Sequence, residues 1–136
     1  MYKWTYETEL GAITIGAHET AITYLKNFDE CPGELRETDL IKTAYDRLVD
    51  YLAGKLRNFD LPLDPKGTNF QQAVWLESMK IPYGTTITYT ELAQRIDRPS
   101  AVRAAGTANG ANPIYIAIPC HRIIGANGSL TGYGGG

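Results

Sequence analysis

A chain of 136 residues has room for one or two small domains. Charged residues at 21% and hydrophobic residues at 43% are ordinary globular proportions and exclude a disordered chain. The net charge of −2 is unevenly spread: residues 1–60 hold 7 basic and 11 acidic side chains, and residues 61–136 hold 6 and 4.

From residue 93 onward, Arg95, Arg98, Arg103 and Arg122 face Asp97 alone. That stretch fits a cationic surface for phosphates and fits a solvated surface equally well. No apolar run approaches the roughly 18 residues of a membrane span. The opening MYKWTYETEL lacks the apolar stretch of a secretory signal, so a cytoplasmic protein without a membrane partner is expected. The two cysteines, Cys31 and Cys120, cannot build a disulfide framework. Neither sits at zinc-ligand spacing, and His18 is far in sequence from His121. No metal and no cofactor are expected.

The first segment alternates. Tyr2, Trp4 and Tyr6 share a strand face, and Ala12–Ile15 and Ala21–Leu25 follow turn signals at Gly11 and His18–Thr20. This predicts a three-stranded meander. Thr38-Asp39 starts a helix to about Ala53, with Leu40, Ile41, Ala44, Leu48, Val49 and Leu52 at helical spacing and Gly54 as its stop. Residues 1–57 are therefore expected to form a small domain, and 58–67, with two prolines and a glycine, a linker. Residues 68–136 form the second domain. Thr68 or Asn69 caps a helix to Met79 that buries Phe70, Val74 and Trp75. IPYGTTITY (81–89) is a turn and a short extended piece, and Thr88 caps a helix with Tyr89, Leu92, Ala93 and Ile96. Asp97-Arg98-Pro99 breaks it, and Ser100 caps AVRAAGTANGA. The fold class is α+β: an antiparallel sheet with a helix, then a mostly helical domain. Two short helices at a tight turn fit a helix-turn-helix and also fit a plain αα-hairpin packed for core reasons.

Cys120 is followed by His121 and Arg122. A cysteine attacks as the thiolate, and its free pKa near 8.5 leaves little of that form at neutral pH without a nearby base or cation. Neighbouring strand side chains point opposite ways, so adjacency alone leaves a reactive cysteine and a small buried one equally open. Cys31, beside Pro32-Gly33, is read as an exposed loop thiol and His18 as a turn residue; Trp4 and Trp75 are read as core.

The stretch NPIYIAIPCHRIIGANGSLTGYGGG resembles the active-site signature of the O6-alkylguanine-DNA alkyltransferases, the methylated-DNA–protein-cysteine methyltransferases. The resemblance runs back through TNFQQAVWLESMKIPYGTTITYTELAQRI and AVRAAGTANGANP and is strong over about residues 67–136. It implies a ribonuclease-H-like shape for the first domain. It implies direct repair of double-stranded DNA, with the alkyl group of O6-alkylguanine passing once and irreversibly to Cys120. His121 resembles the base that takes the thiol proton through a water. Arg103 resembles the finger that fills the gap left by the extruded base, and Tyr89 the residue that crowds the phosphate. The helix carrying Arg103, Ala104 and Asn109 is expected in the minor groove, with Arg122 adding a DNA contact. Asn112 resembles the asparagine that holds this helix to the active-site turn. Ile123, Tyr133 and Gly134 resemble parts of the guanine pocket.

Family chains run on past GYGGG to an acidic residue that orients the histidine, and this sequence has no residue after Gly136. The resemblance therefore implies weakened activation, an inactive form, or another acid such as Glu91 in its place. It also implies a monomer with uncovered apolar surface near Ile114, Ile116 and Ile118, and hence low stability or self-association. A non-catalytic binder of alkylated DNA, like the alkyltransferase-like proteins, is the alternative, although those replace the acceptor cysteine. A Cys–His hydrolase fits poorly, because such enzymes bring the two residues from distant positions.

Overall fold

A computed structural model describes residues 1–125. The α+β chain divides into two compact units, Met1–Pro65 and a second that begins at Lys66. In the first, β1 (Tyr2–Thr8), β2 (Gly11–Ala17) and β3 (Ile22–Lys26) form the expected meander. β1 and β2 pair from Tyr2↔Ala17 to Thr8↔Gly11, and the β2–β3 register shifts at Gly16/Ala17. A two-residue β4 (Glu34–Leu35), unforeseen in the sequence, adds parallel to β1 and gives the order β3-β2-β1-β4.

Helix α1 (Asp39–Leu52) starts where the Thr38 hydroxyl accepts from the Ile41 amide at 3.2 Å. It stops in a Schellman turn. Gly54 takes φ +77°, its N–H donates to the Tyr51 carbonyl, and Lys55 N–H donates to Asp50. Ile41, Ala44 and Leu48 are buried at helical spacing and share the core with Ile13, Ile15, Ile22 and Leu25. Burying each larger side chain contributes about 1.5–3 kcal/mol. Val49 and Leu52 turn outward and are exposed. The segment after α1 is docked, not free: Phe59 is buried, Ile22 N–H donates to Pro62, and Asp64 N–H donates back to Ile22.

Two expectations fail in this unit. Cys31 is buried, because Gly16 has no side chain; a Cβ there would lie 2.5 Å from the Cys31 sulfur. Trp4 is 37% exposed, not core. His18 does order its turn, accepting at Nδ1 from the Thr20 and Ala21 amides, with Nε2 3.0 Å from Asp64.

In the second unit, α2 (Asn69–Ser78) begins with a capping box in which Thr68 and Gln71 each bond the other's backbone. Trp75 is buried and donates from Nε1 to the Ala108 carbonyl at 2.9 Å. This bond ties α2 to α4 (Val102–Gly110). Phe70, expected in the core, is only half-buried. Thr88 caps α3 (Tyr89–Arg95) through the Glu91 amide. The turn between α3 and α4 rests on Asp97, at φ +60°. Its N–H donates to Gln94 and that of Arg98 to Ala93, the same Schellman pattern as after α1, here without glycine. Ser100 is not the α4 cap: the cap position is Ala101, which makes no side-chain hydrogen bond. Ile114 and Ile118 are fully buried and Ile116 is half-buried, so the uncovered apolar surface expected there is absent among the described residues. No helix of the described residues is long and apolar enough to cross a membrane.

The Asp97 geometry yields a signed test. Asp97→Gly removes the Cβ from a left-handed backbone and should raise stability by about 1 kcal/mol, whereas Asp97→Val should lower it by at least about 1 kcal/mol. Urea midpoints of the two variants check this, and a Val variant as stable as the parent would contradict the role given to Asp97.

Candidate active site

Residues 112–119 carry the chain from α4 to Cys120 without regular secondary structure, so their backbone groups need other partners. Asn112 supplies two: its Nδ2 donates to the Ile118 carbonyl and its Oδ1 accepts from the Ile114 amide, both at 2.8 Å. Two three-residue turns follow. Ala117 N–H donates to Tyr115 at 2.7 Å across Ile116, whose φ is +71°. A β-branched residue in that region costs about 1–3 kcal/mol and persists where its surroundings hold it. Cys120 N–H donates to Ile118 at 2.8 Å across Pro119. Cys120, His121 and Arg122 then make one 3₁₀ turn. Successive side chains in such a turn stand a third of a revolution apart, so Cys120 and His121 are not sent to opposite faces as in a strand.

A two-stranded parallel pairing completes the setting. β5 (Ile87–Thr88) pairs with β6 (Ile123–Ile124), in register Ile87↔Ile123 and Thr88↔Ile124. Because α3 begins directly after β5 and β6 directly after the Cys120 turn, the pairing brings Tyr89 to Cys120. The Cys120 thiol is fully buried. A negative charge on it would raise the phenols of both Tyr89 and Tyr115, which flank it; burial is the larger cause holding both above their usual range. The His121 imidazole is held below its ordinary pKa, first by burial and then by the Arg122 charge. His121 is therefore neutral at pH 7, with a ring nitrogen able to take a proton.

The other expected site residues divide. Arg103 and Ala104 are exposed on the outer face of α4, beside Thr107. They border an open depression of about 660 Å³ that also touches Phe70, Gln71 and Ala101. Ile123 is buried in β6, and Tyr133 and Gly134 lie outside the described residues. Asn109 and Arg122 do not face outward, contrary to the sequence reading. Asn109 is fully buried, and its Nδ2 donates to the Cys120 carbonyl at 3.1 Å. Arg122 is 5% exposed, donates from Nη1 to the Ile81 carbonyl at 2.7 Å and stacks against Tyr83. A guanidinium held in this way braces the turn after Cys120 against the 81–84 loop and is not presented to a phosphate. Glu91 does not replace an orienting acid, since its carboxylate pairs with Arg95 on the outer side of α3. Tyr115 was not foreseen; its one signal was an aromatic ring within an otherwise aliphatic run. No cluster of three metal-ligating side chains occurs among the described residues.

Residues 69–136 match the family model of the 6-O-methylguanine DNA methyltransferase DNA-binding domain, and residues 1–65 that of its ribonuclease-like domain. A methylated-DNA–protein-cysteine methyltransferase of Methanosarcina acetivorans is 44% identical over 142 residues, covering 100% of this chain and 91% of that protein. An inducible one of Bacillus subtilis is 42% identical over 144 residues, covering 100% of this chain and 80% of that protein. Among solved structures, Mycobacterium tuberculosis OGT in complex with DNA superposes with a TM-score of 0.91 at 43% identity, over 100% of this chain and 86% of that one.

Arg122 gives the test of this geometry. Arg122→Leu leaves the buried Ile81 carbonyl without its charged donor and should cost about 1.5–3 kcal/mol of stability. Chemical denaturation measures it; a loss below about 0.5 kcal/mol would return Arg122 to the surface role read from the sequence.

Proposed function

The chain belongs to the 6-O-methylguanine DNA methyltransferase family, and we propose that it repairs double-stranded DNA by moving the alkyl group of O6-alkylguanine onto Cys120. The observation that carries this reading is the buried thiol of Cys120, set in a 3₁₀ turn beside a neutral His121 and flanked by Tyr89. A base inside the stack cannot reach such a thiol, so it has to be extruded, at a cost of a few kcal/mol. The outer face of α4 suits that task. Ala104 and Thr107 are small enough to let the helix close on the minor groove, and Arg103 is exposed beside them, ready to fill the place of the extruded base.

The chemistry is one displacement. His121 takes the Cys120 proton, directly or through a water, and the sulfur forms a bond to the alkyl carbon as the C–O6 bond breaks. The electron pair leaves with the guanine, which takes a proton from the Tyr89 hydroxyl. The phenolate then regains a proton from solvent as His121 releases the thiol proton to solvent, so the net change is one thiol proton exchanged for one alkyl group. The thioether does not hydrolyse, so each chain acts once. Asn112 acts at one remove, holding the 112–118 backbone that delivers Cys120.

Incubating the chain with duplex DNA containing O6-methylguanine, followed by intact-protein and peptide mass spectrometry, tests the proposal. One added methyl group on Cys120, absent from Cys120→Ser, is the expected result. Lesion binding with no mass gain would favour a non-catalytic damage binder instead.

A further inference from the structure

The Cys120 thiol is fully buried, so a base can reach it only when something beside it moves. The segment that leads to it holds strain in one place. Ile116 takes φ +71°, and across it the Ala117 N–H donates to the Tyr115 carbonyl at 2.7 Å. A three-residue turn with a positive φ is the rare, strained form. Among the described residues Asp60 and Asp97 also take positive φ, but aspartate bears that backbone more readily than a β-branched side chain. The turn across Pro119 has φ −80° and ψ 64°, the relaxed form of the opposite hand.

The strained turn sits at the tip of a closed loop. Ile114 and Ile118 are both fully buried, and the Ile118 N–H donates to the Ile114 carbonyl at 3.1 Å. Asn112 fastens both ends. Between them Ile116 and Ala117 are only half-buried. Tyr115 pairs alongside Ile118, whose carbonyl accepts from the Cys120 N–H at 2.8 Å. The tip can therefore turn over without unseating the base of the loop, and that base is bonded directly to the nucleophile's backbone. Local opening ordinarily costs the contacts it breaks; here part of that cost is returned as the strain at Ile116 is relieved.

We propose that the turn at Ile116 is the gate to the Cys120 thiol. With the turn formed, the thiol is closed off. When Ile116 passes to an ordinary negative φ, the Ala117–Tyr115 hydrogen bond breaks and the tip swings away to admit the alkylated base. Ile116 acts through the turn and is a positioning residue. A glycine would hold the same φ without strain and would keep the gate shut. The role in alkyl transfer rests on the reading above of Cys120 as the acceptor.

The test sets Ile116→Gly against Ile116→Ala. Both lose the packing of the isoleucine, and they differ in whether a positive φ is strained. In urea the Gly variant should be the more stable of the two, the reverse of the order at an unstrained position. Iodoacetamide labelling of Cys120 follows opening without DNA, and peptide mass spectrometry reads it separately from Cys31. Labelling should be about fivefold slower in the Gly variant than in the Ala variant. Single-turnover transfer from methylated duplex should show the same drop in its limiting rate, with the half-saturating DNA concentration unchanged. Equal labelling rates, or a Gly variant less stable than Ala, would overturn the proposal. So would labelling of the parent no faster than global unfolding permits. Should Ile116→Gly fail to fold, Ile116→Asn against Ile116→Thr carries the same criterion, because asparagine tolerates a positive φ better than threonine does. Labelling in the expected order by a chain that transfers no methyl group would support the gate and refute the reading of Cys120 as acceptor.

Discussion

Two buried asparagine amides hold the catalytic segment of this protein in place. Residues 112–119 have almost no regular backbone pairing, yet they lead to a thiol that must sit in one position. Asn112 closes the segment on itself through Ile114 and Ile118, and Asn109 fastens its far end, at Cys120, to α4. A side-chain amide can offer a donor and an acceptor at fixed separation, which irregular backbone inside a protein requires. With the segment held, a strained Ile116 is tolerated, Pro119 can set the turn, and Cys120 enters the 3₁₀ turn with His121 beside it.

The rest of the second unit serves that arrangement. Trp75 locks α2 to the Ala108 carbonyl one residue before Asn109, so the amide is presented from a braced helix. The β5–β6 pairing fixes where α3 begins, and hence where Tyr89 stands relative to the thiol. Arg122 braces the exit from the turn through Ile81. The outer face of α4 is left to small side chains and Arg103, while its inner face of Ala105, Gly106, Ala108 and Asn109 is wholly committed to packing. One short helix thus carries an exposed face of small side chains with Arg103 and an inner face that holds the Cys120 turn.

Much of this was legible in the sequence where the cause is local. Thr38, Thr68 and Thr88 cap their helices through their own hydroxyls, and Gly54 supplies the backbone conformation that ends α1. The motif around Cys120 and His121 singled the pair out, and the structure sets them in one 3₁₀ turn. What escaped depends on residues distant in the chain. Arg122 reads as a surface cation until its guanidinium meets the Ile81 carbonyl, 41 residues away. Asn109 reads as a polar helix residue until the Cys120 carbonyl is brought beneath it. Cys31 reads as a loop thiol until the bare backbone of Gly16 makes room for its sulfur. Ser100 had the right residue type for a cap, but α4 begins two residues later. For Arg122, Asn109 and Cys31 the residue type was informative and its direction was set by tertiary contact.

In the proposed displacement the Cys120 thiol is consumed by what it accepts. The measurement closest to that claim is the amount of alkyl group transferred per chain when methylated duplex is in large excess and the reaction is followed to its plateau. A plateau at one group per active chain is the predicted result. Continued transfer beyond one equivalent would mean that the acceptor is regenerated, and would contradict the single displacement onto a buried sulfur.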